Sequence, residues 1–469
     1  RPQVRMKPAA LPAMSFAPMR QIGPLLLALF AIVVGMAVPA FVTAVGGSPA
    51  KALILPALLL LVMLLAVSRV LLLSGILLLR AFCDVFFDAT RISLGATQIG
   101  LGFLVNVFVI MIALLLVIEK PRLLPKKMFL LWLPFLLCGL VGVVTAPALA
   151  DALRGYLAQM SYCAIFVCAF YVVRTPEDFK RCARIVLYSS VLPLLYGIID
   201  IAIKGGVHGP NGARLQSTFA HPNIYAFYLT LVIALGFYVL KSDTYQLEKR
   251  HRVGLGGYLM LLLGMLALTQ TRSAWIACGA MFVGYGLLFE RRYLVYMLVV
   301  PMLALLIPDV RDRVLDLGAG NEVKQYAKLN SFAWRLYIWE SGLQWMRPSH
   351  YLFGYGLESF QFYSPTFFPL AGKTHFGAHS MYVQWLFELG AIGMLACLWV
   401  YGRVMWTLKG LIAFDKLGAF VLIVMMLQYL IVSASDNMAA YLAFNWYFWF
   451  VLGSGCALLT HGARPKEGA

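Results

Sequence analysis

The sequence KTHFGAHSMYVQWLFELGAIG, residues Lys373 to Gly393, joins a polar segment with two histidines to a long apolar run. His375 and His379 stand before the run, although the chain has only 7 histidines in 469 residues. Ser380 or His379 is placed to cap a helix that begins there. We therefore expect the His379 imidazole at the lip of a membrane-spanning helix.

The rest of the chain shares this apolar character. It is 62% hydrophobic and 12% charged, whereas soluble domains are about 45–50% apolar and about 25% charged. Apolar runs of about 20 residues recur from Ile22 to Leu459 and are continuous rather than alternating, as in membrane-spanning helices. This pattern predicts an all-α polytopic membrane protein. The net charge of +18 is explained by basic loops and contact with anionic lipid, so no nucleic-acid partner is expected.

Candidate spans number 14, or 12 if the pair 52–67 and 70–90, which Arg69 and Arg80 interrupt, does not cross. Basic clusters between alternating spans all fall on one side, which identifies that side as the cytoplasm. We expect a single transmembrane domain, 22–460, with cytoplasmic tails 1–21 and 461–469. The spans are 22–45, 52–67, 70–90, 97–118, 128–149, 155–174, 183–203, 223–240, 254–270, 273–289, 293–308, 381–402, 417–435 and 439–460. The basic clusters are 119–127, 174–184, 241–252, 290–292, 403–416 and the C-terminal tail.

One long connection, residues 308–380, lies on the opposite, periplasmic side. Loops beyond about 12–15 residues are usually functional or disordered, and the composition of this one argues against disorder. Residues 331–345, SFAWRLYIWESGLQW, predict a helix with aromatic side chains at the membrane boundary. The following segment, 351–363, is expected to turn on Gly354 and Gly356.

Several arginines lie on the periplasmic side of this topology, where cations are not expected. Charge at membrane depth is costly and tends to be functional. Guanidinium groups are forked, permanent donors suited to phosphate, so their convergence predicts a site for a lipid diphosphate or another anion. Three of them have an ordinary structural explanation as the alternative. Arg154 is next to Asp151, Arg214 is in a loop, and Arg335 is one and a half helical turns from Glu340. The set is Arg154, Arg214, Arg272 and Arg335, with Arg80 as a fifth candidate.

The outward acids, by contrast, do not suggest a metal site. No Asp-x-Asp pair occurs, and Asp309, Asp312 and Asp316 are interleaved with basic residues. Divalent cations that handle phosphates usually recruit carboxylates. We therefore predict a metal-independent site in which arginines neutralise the anion.

The histidines suggest acid–base chemistry. An imidazole titrates near pH 6.5, so His379 is able to accept a proton at neutral pH. Glu388 is nine residues further on and is expected to bond buried polar groups rather than His379. His221 precedes Pro222 at an expected helix start, and His375 is interpreted as a loop residue.

Four fragments together resemble the O-antigen ligase and polymerase superfamily. The order of a His-Pro-Asn helix start, a Thr-Arg-Ser hairpin, a long loop and a His…Glu…Gly span is similar to that family. The resemblance covers about residues 210–395 and distinguishes the branches of the family poorly. The fragments are STFAHPNIYAFYLTL (217–231), LTQTRSAW (268–275), WRLYIWESGL…YLFGYGLESF (334–360) and AHSMYVQWLFELGAIG (378–393).

The resemblance implies a glycosyltransferase of the bacterial inner membrane that needs no cofactor. Its donor is a glycan on undecaprenyl diphosphate, and transfer takes place at the periplasmic face. The acceptor is the lipid A–core oligosaccharide in the ligase branch of lipopolysaccharide biosynthesis. It is another lipid-linked glycan in the polymerase branch and a protein in the O-oligosaccharyltransferase branch. The ligase is the reading that the fragments favour.

The resemblance also assigns roles to residues. It implies that His379 is catalytic and that Arg214 and Arg272 hold the diphosphate, with His221 and Glu388 in support. The chain has Ser380 where many members have Asn. We expect direct, inverting attack with His379 as the general base, since no outward carboxylate is clearly placed as a nucleophile. A lipid-linked glycan transporter and a scaffold for envelope assembly are the non-enzyme alternatives.

Overall fold

The structure of the protein is a computed structural model that describes residues 51, 53–90, 92–94, 97–204, 207–209, 212–306, 311 and 331–462. The predicted tail 1–21, the first predicted span, 22–45, and residues 312–330 of the predicted loop lie outside these residues. The same holds for residues 463–469 of the C-terminal tail.

The described chain is a bundle of helices with two short β-hairpins. In the first hairpin Ile92 pairs with Ile99, and in the second Val207 pairs with Arg214, both antiparallel. The helices and strands are α1 Ile54–Val67, α2 Arg69–Ala89, β1 Ile92–Leu94, β2 Thr97–Ile99, α3 Leu101–Glu119, α4 Lys126–Leu130, α5 Leu133–Val144, α6 Leu149–Val172, α7 Pro176–Ser189, α8 Val191–Lys204, β3 Val207–Gly209, β4 Gly212–Arg214, α9 Pro222–Lys241, α10 Lys249–Leu268, α11 Arg272–Leu288, α12 Arg292–Ala304, α13 Ser331–Trp345, α14 Ser359–Phe367, α15 Met381–Leu408, α16 Lys416–Val432 and α17 Leu442–Gly462.

This architecture confirms the prediction of an all-α polytopic membrane protein. Within the described ranges, 9 helical segments of at least 18 residues are long and apolar enough to cross a membrane. Two of them join consecutive helices, α4 with α5 and α7 with α8. Shorter apolar helices at α1, α12 and α16 add to this set.

The pair 52–67 and 70–90 forms two separate helices. Ser68 is extended and divides α1 from α2. Arg69, the first residue of α2, forms an ion pair with Glu119 at the end of α3, with the side-chain nitrogen and oxygen 2.6 Å apart. The break between α1 and α2 is therefore at the same end of the bundle as the basic segment after α3.

Polar contacts also join the basic segments that follow other helices. Lys241, at the end of α9, pairs with Glu290 after α11 at 2.8 Å. Tyr238, one turn before the end of α9, donates to Asp415, the cap of α16, at 2.5 Å. The basic segments that follow α9, α11 and α15 thus meet at one end of the bundle, called here the basic end.

The core of the bundle surrounds three helices, α6, α9 and α17. The middle of α9 is enclosed on all sides, as its uninterrupted buried run from Tyr225 to Val239 shows. Trp446 and Trp449 of α17 are buried, and the Trp449 ring lies 4.6 Å from that of Trp132. Such continuous burial suits a helix that has helices rather than lipid on every face.

The described part of the long connection forms a second, smaller core at the end opposite the basic end. The predicted helix at 331–345 is confirmed as α13. Its aromatic side chains pack with those of α14 and the first half of α15. The members of this aromatic cluster include Ile338, Trp345, Phe360, Phe367, Phe368 and Phe387.

Helix α15 is broken at Gly390, where φ is 66° and ψ is −171°. Residues 351–356 lie against the break and bond to it. Gly356 N–H donates to the carbonyl of Glu388 at 2.8 Å, and Ala391 N–H donates to the carbonyl of Tyr351 at 2.8 Å. The loop thus satisfies backbone groups that the broken helix leaves open, and the predicted turn at Gly354 is seen as a positive φ of 71°.

Candidate active site

A cavity of about 1310 Å³ opens between the helices on the side of the aromatic cluster. Its walls include residues from the first turns of α3, α9, α13, α15 and α17. The N-terminal end of a helix carries a partial positive charge and unpaired N–H groups, which favour anions. Histidines and arginines from widely separated segments line the same cavity: Arg80, Arg154, Arg214, His221, Arg335, His375 and His379.

His379 is held at the lip of α15, as the sequence predicts. Its φ is 50°, in the left-handed region that is uncommon for residues other than glycine. Hydrogen bonds fix the backbone on both sides of His379. Trp339 Nε1–H donates to the carbonyl of Ala378 at 2.5 Å, and Met381 N–H donates to the carbonyl of Ser433 at 2.9 Å. The position of this imidazole is thus set by the aromatic cluster and by the end of α16.

The cap of α15 is Ser380, whose Oγ accepts from Val383 N–H at 3.4 Å. The ring of His379 packs edge-on against Trp334, with ring centroids 5.6 Å apart. Ser380 rather than His379 therefore caps the helix, and His379 lines the cavity.

Arg335 lies on α13 beside His379 and contributes to its electrostatic environment. Within the described residues its guanidinium makes no hydrogen bond or ion pair. The alternative pairing with Glu340 is not formed, because Glu340 accepts from Gln344 Nε2 at 3.0 Å. A cation of this kind, half-buried and facing a polar cavity, is suited to an anionic ligand.

His221 and Arg214 belong to one network around Asn223. The Nδ1 atom of His221 accepts from Asn223 N–H at 3.1 Å and caps α9, which leaves Nε2 to carry the proton of the neutral ring. Arg214 donates to Oδ1 of Asn223 at 2.8 Å and, through Nε, to the carbonyl of Thr269 at 3.0 Å. Asn223 in turn donates to Asp436 at 2.9 Å.

This network joins the His-Pro-Asn helix start to the Thr-Arg-Ser hairpin. Arg214 also donates to Oγ1 of Thr271 at 3.0 Å, next to Arg272. Arg272 itself is the first residue of α11 and is not among the residues that line the cavity. The structure therefore brings Arg214 into the cavity wall and leaves Arg272 outside it, in the hairpin whose Thr269 and Thr271 bond Arg214.

The remaining two arginines already have acidic partners. Arg154 forms an exposed ion pair with Asp151 at 3.2 Å, as its alternative reading anticipated, while still lining the cavity. Arg80 is buried and pairs with Asp84 at 2.7 Å. Its guanidinium also lies over the rings of Phe87 and Trp446, at 4.8 and 5.3 Å.

Glu388 lines the cavity one turn below Gln384 and bonds buried polar groups, as the sequence predicts. Gln384 Nε2 donates to Glu388 at 2.9 Å, and Oε1 of Gln384 accepts from Asn437 at 2.8 Å. The backbone N–H groups of Glu358 and Phe360 also contribute hydrogen bonds to this carboxyl. These hydrogen bonds join the loop residues Glu358 and Phe360 to helix α15 through the Glu388 side chain.

Several polar residues of the cavity were missed at the level of sequence, among them Asp436, Asn437 and Glu358. Asp436 and Asn437 lie between α16 and α17, and Glu358 precedes α14 with a φ of 61°. The signal for Asp436 was an acid between two spans on the side of the outward arginines. No spacing rule pointed to Glu358, which reaches the cavity only because the loop folds back over α6.

Burial and a nearby arginine favour the neutral form of His379 and of His221, the two histidines at helix ends. The rings are open to the cavity but enclosed by its walls. For His379, this burial and then the Arg335 charge lower the pKa to about 4. For His221, burial and then Arg214 lower the pKa, although Asp436 opposes the shift. Burial raises the pKa of the Asp436 carboxyl. The cavity thus presents a neutral base beside fixed cations.

Among the described residues, no group of three or more His, Cys, Asp or Glu side chains is arranged to hold a metal ion. The expectation of a metal-independent site stays a prediction.

The chain is thus a multi-pass helical protein in which histidines and arginines from separate helices line one cavity. Residues 257–398 match the family model described as O-Antigen ligase. This match confirms the resemblance to the O-antigen ligase and polymerase superfamily and indicates a glycosyltransferase-type enzyme acting on lipid-linked glycans. The matched region covers the hairpin, the described loop, His379 and the broken helix. No curated protein matches the chain.

Proposed function

We propose that the protein is an O-antigen ligase of the bacterial inner membrane. It transfers a glycan from undecaprenyl diphosphate to the lipid A–core oligosaccharide. The observation that supports this most directly is the neutral imidazole of His379 beside Arg335, whose guanidinium has no bonding partner among the described residues, in a cavity lined by helix N-termini. The cavity faces the periplasm in this proposal, because the basic segments gather at the other end.

The diphosphate of the donor lies against Arg335 and Arg214 in this proposal. Nε2–H of His221 donates to it, and Arg272 and Arg154 add positive charge from the hairpin and from α6. Fixed donors and cations stabilise the negative charge that develops on the leaving group. Arg80 is left out of this clamp because its pair with Asp84, at 2.7 Å, is buried, whereas the pair of Arg154 with Asp151 is exposed and therefore weak.

Transfer then takes place in one step. The acceptor hydroxyl oxygen attacks the anomeric carbon and forms the new glycosidic bond. The bond from that carbon to the diphosphate oxygen breaks with its electron pair, so the anomeric configuration is inverted. His379 takes the hydroxyl proton, and undecaprenyl diphosphate leaves. No metal and no further cofactor enters these steps.

Binding of the donor also improves His379 as a base. Without a bound donor, the Arg335 charge disfavours the protonated imidazole. A diphosphate beside Arg335 offsets this charge and raises the proton affinity of the ring. The base therefore becomes stronger when its substrate is in place.

The test is transfer of a labelled glycan by purified protein with both lipids. His379→Ala is expected to lower the rate by about 10²–10⁴-fold, the usual range for a general base, with normal membrane insertion. His251→Ala is the matched control, since His251 is exposed at the basic end and pairs with Glu248. Transfer at the wild-type rate by His379→Ala would remove the base from the mechanism.

The choice of acceptor tests the branch of the family. Lipid A–core, a second lipid-linked glycan and a protein acceptor are offered to the same preparation with one donor. Glycosylation of lipid A–core alone is expected for a ligase. Extension of the lipid-linked glycan would identify a polymerase instead, and movement of the donor across a vesicle membrane without transfer would identify a transporter.

A further inference from the structure

Glu358 brings a carboxyl group without a bonding partner to the wall of the cavity. The residue lies just before α14 and is half-buried. Among the residues that the structure describes, its carboxyl group accepts no hydrogen bond and forms no ion pair. Its two oxygens are nevertheless not sealed in the protein, so they are open to the cavity that Glu358 lines. A carboxylate that is partly removed from water without a partner is costly, and donors on a ligand in the cavity would offset this cost.

Two helices hold the backbone around Glu358. Its N–H group donates to the carboxyl group of Glu388 in α15, and Leu357 N–H donates to the carbonyl of Gly142 in α5 at 2.9 Å. The φ of Glu358 is 61°, in the left-handed region that few residues other than glycine adopt. These contacts use only the backbone of Glu358, so its carboxyl group remains available to a ligand.

Gly155 of α6 leaves room for this carboxyl group. A Cβ at Gly155 would lie 2.9 Å from Oε1 of Glu358, too close for the carboxyl group to stay where it is. Asp151 and Arg154, within one turn before Gly155, also act on Glu358. Burial and then Asp151 raise the pKa of the Glu358 carboxyl, whereas Arg154 opposes this shift. The beginnings of α6 and α14 therefore meet at this part of the cavity wall.

The beginning of α14 adds an amide and an aromatic ring to the same wall. Phe362, one turn after Glu358, is 45% exposed and lines the cavity. Gln361 is exposed and lines the cavity as well. The carbonyl of Gln361 accepts from Nδ1–H of His375 at 3.1 Å. Because His375 is four residues before His379, these side chains border the lip of α15.

The chemistry of this wall differs from that of the diphosphate clamp. The described charges that act on Glu358 are one carboxylate, Asp151, and one guanidinium, Arg154. With Glu358 itself the balance is negative, so a phosphate group next to Glu358 would be repelled. Sugar hydroxyl groups donate to carboxylates and both donate to and accept from amides. An exposed phenyl ring offers an apolar face to the C–H groups of a sugar ring.

We propose that Glu358, Gln361 and Phe362 form a subsite for a sugar, in which the Glu358 carboxylate accepts hydrogen bonds from sugar hydroxyl groups. This inference rests on the proposed function. The sugar belongs either to the donor glycan or to the acceptor oligosaccharide, since both carry hydroxyl groups. The subsite places that sugar beside the lip of α15 and so contributes to the choice of glycan or of acceptor hydroxyl.

Binding to Glu358→Gln tests the role of the carboxylate. The purified full chain is titrated with bare undecaprenyl diphosphate, with undecaprenyl diphosphate carrying one N-acetylglucosamine, and with delipidated core oligosaccharide. The variant is expected to bind at least one sugar-bearing ligand about tenfold more weakly or worse, because hydrogen bonds to charged groups are the strong ones. It is expected to bind the bare lipid as the wild type does. Weakening with the second ligand identifies the donor as the source of the sugar, and weakening with the third identifies the acceptor.

Gly155→Ala tests the placement of the carboxyl group without changing its chemistry. The added methyl group displaces Oε1 of Glu358, so the same ligand is expected to bind about 3- to 10-fold more weakly, the range for one hydrogen bond. The unfolding temperature is expected to stay the same or rise, because alanine favours helices. Gly264→Ala is the matched control, since Gly264 is in α10 and a Cβ there would meet nothing within 4 Å. This control is expected to leave all three affinities unchanged.

Unchanged affinity for both sugar-bearing ligands, in either Glu358→Gln or Gly155→Ala, would overturn the subsite. Equal weakening of the bare lipid would do the same, and so would a lower unfolding temperature in both variants, which would indicate a structural role. The proposed function fails separately. A wild-type protein that binds these ligands but transfers no glycan would refute the transfer reaction, and the binding comparison would still decide the subsite.

Discussion

Replacing Gly390 by alanine tests whether the break in α15 is required by the fold. The backbone at Gly390, with φ of 66° and ψ of −171°, is in a region that essentially only glycine occupies. Any other residue there costs about 1–3 kcal/mol in strain. A Cβ at this position would also lie 2.3 Å from the carbonyl carbon and oxygen of Leu352, so the loop must move.

Movement of the loop has its own cost. The N–H groups of Ala391 and Ile392 donate to the carbonyls of Tyr351 and Leu352 at 2.8 and 3.2 Å. A net loss of about 0.5–1.5 kcal/mol for each bond, added to the strain, gives a destabilisation of about 2–6 kcal/mol for Gly390→Ala. Activity is expected to fall too, since Glu388 and the lip of α15 are positioned by the same contacts.

Equilibrium unfolding in detergent measures this effect, and the same helix provides the control. Gly402 is in α15, and a Cβ there would meet nothing within 4 Å. Gly402→Ala is expected to be neutral or to stabilise by up to about 1 kcal/mol, because alanine favours helices. Wild-type stability in Gly390→Ala, or an equal loss in Gly402→Ala, would refute the strain argument.

The remaining predictions concern the chemistry of the cavity. Because a general base must be neutral, kcat/KM is expected to fall only as pH drops towards about 4, the lowered pKa of His379. Arg335→Gln removes the second cause of the lowered pKa of His379, so the pKa of His379 is expected to rise. The pH profile of kcat/KM in this variant, normalised to its own maximum, should therefore fall at a higher pH than in the wild type. Identical normalised profiles would show that Arg335 does not affect the pKa of His379. Arg214→Lys is expected to lower kcat/KM by about tenfold or more. Arg214 bonds Thr269 through Nε and Asn223 and Thr271 through Nη2, whereas lysine has a single nitrogen and lacks this planar fork. Wild-type kinetics would argue against this role.

Much of the fold followed from hydropathy. Continuous apolar runs and basic clusters predict helices and their alternation, because lipid forces every spanning segment to satisfy its own backbone. The helix at 331–345 and the helix start after His221 were also predicted. Glycines and prolines mark such ends locally, so they are readable without knowledge of contacts.

Contacts between residues that are distant in the sequence were harder to predict. The sequence suggested Glu340 for Arg335, but Glu340 bonds Gln344 and Arg335 faces the cavity. Nothing in the sequence near Glu358 or Asn106 indicated that they would line the same cavity as His379. Spacing rules apply within one helix, whereas these residues meet only through packing between helices.

The sequence by itself determined that the chain is a helical membrane protein, with cations gathered at one end and a histidine at the lip of a span. Those properties depend on composition and on local helix signals, which each segment carries alone. Only the tertiary structure decided which acids pair with Arg80 and Arg154, that Arg335 has no acidic partner among the described residues, and which polar groups share a cavity. The physical reason is that charge pairing and burial depend on neighbours brought together from distant segments, and no single segment contains that information.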